Sequence, residues 1–220
     1  MRPLSLLETR VLGVLIEKAH TVPDSYPLSI NSLTLGCNQK TARDPVMAAG
    51  DGDVQASVDA LKLLSLVFEA SGSRVTRYEH NLGRALALPS QSVALLCALM
   101  LRGAQTTSEL RANSERLHRF ADLSAVEGFL DELAARAEDK GGALIVKLPR
   151  VAGAREARWV HLLCGPVEAS SVAVAPDSED FVAASELAAM KARLTAAESE
   201  LAALRVLVDR VYRELDLARG

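Results

Sequence analysis

The chain has 220 residues, 49% of them hydrophobic and 24% charged, with a formal net charge of −3. These proportions suit a folded chain rather than a disordered one, and the length accommodates two small domains of about 70 to 80 residues each plus an extension. No apolar run approaches the roughly 18 residues that cross a bilayer, and Met1-Arg2-Pro3-Leu4 leads into a patterned helix rather than a signal peptide, so a cytoplasmic protein without membrane association is expected.

The first predicted element is a helix opened by Ser5 as N-cap, with Glu8 placed to complete a capping box. Leu7, Val11, Leu12, Leu15 and Ile16 recur at helical spacing to about Ala19, which buries one face. Pro23, Asp24 and Pro27 then force an extended connection. A short helix is expected over about 30–37, followed by a polar loop. A third helix is expected over about 52–66, burying Val54, Val58, Leu61 and either Leu64 or Ser65. Residues 66–70 and 74–79 flank Ser71-Gly72-Ser73 and predict a hairpin. Three helices followed by a hairpin is the winged-helix order.

That order then repeats. Helices are expected over 90–102, 106–112 and 124–136, with capping boxes from Thr106 with Glu109 and from Ser124 with Glu127. Val126, Leu130 and Leu133 reproduce the spacing of Val54, Val58 and Leu61. A longer hairpin is expected from 143–148 and 155–163. Beyond 165, a small, polar, Pro-containing stretch predicts a linker.

In the last segment Leu187, Met190, Leu194, Ala197, Leu201, Leu204, Val208, Val211, Leu215 and Ala218 alternate steps of three and four, the pattern of a coiled-coil seam. Charges flanking the seam match a parallel homodimer, with Arg193 opposite Glu198, Glu200 opposite Arg205 and Glu214 opposite Arg219 of a second copy. Folding back onto the preceding domains is the other arrangement that buries such a seam. The expected fold class is thus mainly α with small β-hairpins (α+β): tandem winged-helix domains over 1–82 and 83–165, a linker over 166–183 and a coiled-coil helix over 184–220.

Several stretches resemble one family. Leu6 to Gly13 with Leu15 to Lys18, Tyr26 to Asn31, Cys37 to Thr41 and Arg74 to Glu79 carry the likeness in the first half, and Leu101 to Thr106 with Glu109 to Arg111 in the second. Over about residues 4–165 the sequence is similar to the YceH family of bacterial proteins. The resemblance implies a tandem winged-helix fold, no known catalytic activity and no assigned biochemical function. The chain departs from the usual family pattern at Ala42 and over 48–52.

Motifs for catalysis are not found: there is no Gly-rich phosphate loop, HExxH, nucleophile elbow or CxxC, and His20, His80, His118 and His161 are scattered. A non-enzymatic protein without cofactor or metal is expected. Cys37, Cys97 and Cys164 lie far apart, which suits reduced core thiols. Candidate contacts to double-stranded DNA or to another protein are the donors Asn38, Gln39, Lys40, Thr41 and Arg43 of the loop before the third helix, Arg74 and Arg77 on the first wing, Arg111, Arg116 and Arg119 with His118 in the second connector, and Arg150, Arg155 and Arg158 on the second wing. For each of these a structural role, as cap, turn or intramolecular ion pair, stands beside the binding one. Trp159 suits a wing-to-core anchor better than a base-stacking platform.

Charge is uneven. Residues 1–82 hold eight basic and nine acidic side chains, 83–165 eleven and nine, and 166–220 six and ten. Acidic residues also lead both third helices, at Asp51, Asp53 and Asp59 and at Glu127, Asp131 and Glu132, which opposes major-groove reading by those helices. A DNA-binding, transcription-regulator-like homodimer is the leading expectation, with Leu187, Met190, Leu194, Leu201, Leu204, Val208, Val211 and Leu215 as the self-association residues. A protein-interaction scaffold is the alternative.

Overall fold

The computed structural model describes residues 1–70, 75–150 and 155–167. The expected linker and heptad segment, including Leu187 to Leu215, lie outside the described residues, as do Arg74 and the tips of both hairpins.

The first copy comprises α1 (Leu6–Thr21), α2 (Ile30–Cys37), α3 (Asp51–Leu63), β1 (Val67–Ala70) and β2 (Arg77–His80). Ser5 caps α1 as its spacing predicts: the Glu8 amide donates to Ser5 Oγ at 3.1 Å and the Ser5 amide to Glu8 Oε2 at 2.7 Å. Arg2 also holds the Glu8 carboxylate, and its hydrogen bonds keep that group below the usual carboxylate range. The third helix ends earlier than its hydrophobic period implies. Ser65 takes a positive φ of 58°, a left-handed turn that redirects Leu66 and Val67 into the core, both fully buried.

A single-turn helix, α4 (Leu82–Ala85), joins the copies. The second copy comprises α5 (Ser90–Arg102), α6 (Thr107–Ser114), α7 (Leu123–Ala134), β3 (Ile145–Lys147) and β4 (Trp159–His161). Thr106 caps α6 in the predicted box with Glu109. The box expected from Ser124 and Glu127 does not form. Asp122 is the N-cap instead, its carboxylate accepting from the Ala125 amide at 2.8 Å. Asp122 sits two residues earlier and aims a charged acceptor at the free amides of the first turn, which outcompetes a serine already inside the helix.

Each hairpin gains a third strand-like contact from the residue two before the short second helix. Leu28 and Tyr78 exchange backbone hydrogen bonds at 3.1 and 2.8 Å, and Gln105 and Trp159 do so at 3.0 and 2.7 Å. The fold is therefore winged-helix-like α+β in both copies, down to the bridge. Trp159 is buried and donates from Nε1 to Thr107 Oγ1 at 3.3 Å, so it anchors the second wing.

The two copies share a continuous apolar core, in which α1 packs along α5. A glycine permits the approach: a Cβ at Gly13 would lie 2.9 Å from Leu101 Cδ2, and Gly13 O accepts from the buried Cys97 thiol at 3.3 Å. The chain ends of this unit are tied as well, because the Leu4 amide donates to Leu163 O at 2.8 Å. Cys37 and Cys97 are buried free thiols, whereas Cys164 is exposed rather than part of the core. Among the described residues no helix is long and apolar enough to cross a membrane.

Candidate nucleic-acid interface

The donors singled out in the first copy are largely consumed by the fold. Asn38 bridges the start of the connector to its end, donating to Ala49 O at 2.9 Å and accepting from the Ala49 amide at 2.8 Å. Arg43 has no exposed side-chain surface. It donates to both carboxylate oxygens of Glu17 at 3.1 and 2.6 Å, to Gly36 O at 3.1 Å and to Gln39 Oε1 at 2.7 Å. Burial alone pushes the Glu17 carboxyl up, but the Arg43 hydrogen bonds and charge more than offset it and hold it below its ordinary value. A second arginine missed by motif reading, Arg10, is 1% exposed and donates to Cys37 O and Pro45 O at 3.1 and 2.7 Å. Burial first, and then the neighbouring Arg43 charge, lower its pKa.

The connector between α2 and α3 is thus a joint between the copies. Its Asp44 amide donates to Leu101 O at the end of α5 at 2.8 Å. Of the five candidates there, only Lys40 and Thr41 are exposed and make no hydrogen bond or ion pair with another described residue.

The wing arginines adjoining the bridges are structural in both copies. Arg77 donates to Pro27 O at 2.7 Å and Ser25 O at 3.2 Å. Arg158 donates to Ala104 O at 3.0 Å and to both Glu109 oxygens at 2.9 and 3.2 Å. Pro27 and Ala104 each precede a bridge residue, so the two arginines occupy the same place in the repeat. His80 and His161 follow them at matched positions. Each has a buried Nδ1 with no hydrogen-bond partner among the described residues, and burial pushes both pKa values down to about 4, with the charge of His20 adding to the effect at His80.

The second connector is different. Ser108, Arg111, Ala112 and Glu115 fall on one face of α6 by their spacing of three and four, and with Arg119, Phe120 and Leu123 they line an open hollow of about 380 Å³. Arg111 is braced across it, donating from Nη2 to Ala121 O at 3.0 Å. Phe120 forms the floor, buried and packed edge-on against His118 and Phe129 with centroids 4.7 and 6.0 Å apart. Ser108 Oγ reaches the wing, donating to the Glu156 carboxylate at 3.2 Å. Arg116, Arg119, Arg150 and Arg155 are exposed and pair with no other described residue. The structure therefore brings together Arg111 and Arg119, with Arg155 next in sequence to the Ser108-bound Glu156.

The equivalent face of the first copy carries no charge. Counting from the matched bridges, Ser108, Arg111, Ala112 and Glu115 correspond to Asn31, Thr34, Leu35 and Asn38. Sequence reading named Arg111 and Arg119 but not Ser108 or Glu156, because only the folded hairpin carries Glu156 back to α6.

A family model described as "Protein of unknown function, DUF480" matches residues 4–154. A UPF0502 protein of Burkholderia pseudomallei strain 668 is 56% identical over 220 residues, spanning 100% of this chain and 92% of that protein. A UPF0502 protein of Burkholderia thailandensis is 57% identical over 217 residues, covering 99% and 91% of the two chains, and one of Paraburkholderia phytofirmans is 57% identical over 220 residues, covering 100% and 92%.

Proposed function

From a chain that belongs to the DUF480/UPF0502 family of bacterial proteins of unknown function, whose role must be read from its own surface, we propose a non-enzymatic, transcription-regulator-like protein that holds duplex DNA by its phosphate backbone through the second winged-helix copy. One observation carries this reading: Arg116, Arg119, Arg150 and Arg155 of the second connector and wing are exposed and pair with no other described residue, while Arg43 and Arg77 of the first copy are tied into the fold. Guanidinium groups so placed gain most from a phosphate, because they surrender no intramolecular partner to reach it. The exposed Glu127, Asp131 and Glu132 of α7 direct contact away from groove insertion and towards the backbone.

Fluorescence anisotropy of the full chain with a 30-base-pair duplex is the test. Binding is expected at low salt and should weaken as salt rises, with a log–log slope of about 0.9 per phosphate engaged. Replacing Arg111, Arg116 and Arg119 together by alanine should cost about tenfold or more and flatten that slope. Absence of binding at low salt overturns the proposal.

The heptad pattern of Leu187 to Leu215 supports a homodimer, which would present two half-sites. The full chain is expected to sediment as a dimer and the double variant Leu194→Asp, Leu201→Asp as a monomer. An unchanged mass would remove the coiled-coil pairing.

A protein-interaction scaffold is the second reading, favoured by the neutral face of α2, where Leu35 is 68% exposed. Retention of one stoichiometric protein partner after nuclease treatment, with no duplex binding, would replace the first reading by this one.

A further inference from the structure

The hollow on α6 has the composition of a discrete anion site. Two guanidinium groups, Arg111 and Arg119, line it with a hydroxyl donor, Ser108, and one carboxylate, Glu115, and the remaining positive charge is balanced only by the Glu156 carboxylate on Ser108. Arg111 is oriented by Ala121 O and keeps its other N–H groups for a ligand. Ser108 already bonds an anion, since both oxygens of the wing residue Glu156 lie within 3.4 Å of its hydroxyl. A hydroxyl held by a neighbouring carboxylate is a donor that another anion can capture, provided it outbids that carboxylate.

Phosphate does so on two counts. It presents more acceptor oxygens than a carboxylate and it accepts from several guanidinium groups at once. The hollow is larger than one phosphate and open to solvent, so the group can enter while attached to a sugar. The first copy provides the internal contrast, because Asn31, Thr34 and Leu35 stand where Ser108, Arg111 and Ala112 do, and Asn38 is committed to Ala49.

We infer that Ser108, Arg111 and Arg119 form a seat for a single phosphate group in the second copy, and that Glu156 of the wing competes with the ligand for the Ser108 hydroxyl. The inference rests on the DNA-binding reading only for the source of the phosphate. A backbone phosphate of a duplex and a free phosphate use the same seat. The wing is thereby coupled to binding: capture of Ser108 by the ligand releases the Glu156 carboxylate.

The test titrates the full-length protein with inorganic phosphate against chloride at matched ionic strength. The arginine side-chain resonances are followed by NMR, and the 30-base-pair duplex is titrated in parallel. Phosphate is expected to shift Arg111 and Arg119 saturably, with chloride leaving them in place. Glu156→Gln should tighten phosphate binding three- to tenfold and Arg119→Ala weaken it tenfold or more, with thermal melts confirming that both variants fold. A response to phosphate with no duplex binding keeps the seat, assigns it to a free phosphorylated molecule and ends the DNA reading. Duplex binding without any phosphate-specific shift of Arg111 and Arg119, or with an affinity indifferent to Glu156→Gln and Arg119→Ala, overturns the seat and leaves the DNA reading standing.

Discussion

Replacing Arg43 by alanine is expected to destabilise the protein by about 3 kcal/mol, the lower part of the range for removing one member of a buried ion pair. The substitution leaves Glu17 in its partly buried place without its bidentate partner and frees the acceptors Gly36 O and Gln39 Oε1. Relief of the repulsion on Arg10 offsets part of the loss, which is why the lower figure applies. Urea unfolding measures it as a fall in the midpoint with an unchanged slope. Duplex affinity of the folded fraction should not change. If Arg43→Ala unfolds at the wild-type urea concentration but binds DNA more weakly, Arg43 is a surface contact and not part of a joint between the copies.

The second large effect is acid sensitivity. His80 and His161 titrate at about 4 in the folded protein against an ordinary value near 6.5. Their neutral forms are the ones the fold accepts. Between those two values the unfolded chain binds protons that the folded chain refuses, so stability falls as pH drops from about 6.5 to about 4 and is fully present above 6.5. Each histidine contributes on the order of 2–3 kcal/mol to that fall. Glu8 and Glu17, whose folded pKa values are lowered, extend the loss in the same direction at lower pH. Urea denaturation at pH 7, 6 and 5 should show a steady decline, and the double variant His80→Asn, His161→Asn should flatten the pH dependence whatever its stability at pH 7. A wild-type stability constant from pH 7 to 5 would contradict the burial of the two rings.

The symmetry of these histidines was open to reading in the sequence, since each follows a wing arginine by three positions, as does the aromatic bridge residue by one. Their spacing nonetheless pointed to no chemistry. The orphaned Nδ1 atoms arise from packing of each wing against its own helices, which depends on residues more than 50 positions away, as in the contact of the His80 amide with Tyr26 Oη at 2.8 Å. The same distance effect left a structural and a binding role both open in the sequence for Arg43 and Asn38, which the fold commits to Glu17 and Ala49. Cations and amides in a polar loop look like ligand donors when the acceptors that take them, Glu17 and Ala49, are far off or unremarkable in sequence.

By itself, the amino-acid sequence determined what depends on neighbours within a turn or two: the helix caps at Ser5 and Thr106, the periodic core positions Val54, Val58, Leu61 and their counterparts, the doubled order of three helices and a hairpin, and the family. Local hydrogen bonds and apolar periodicity suffice for these. Tertiary structure alone decided which charges are spent and which are free. It joined α1 to α5, turned the first connector into an internal joint, and carried Glu156 to Ser108 across 48 positions. Such pairings are set by where the chain returns in space, because the energy of a charge depends on its burial and its partner rather than on its place in the sequence.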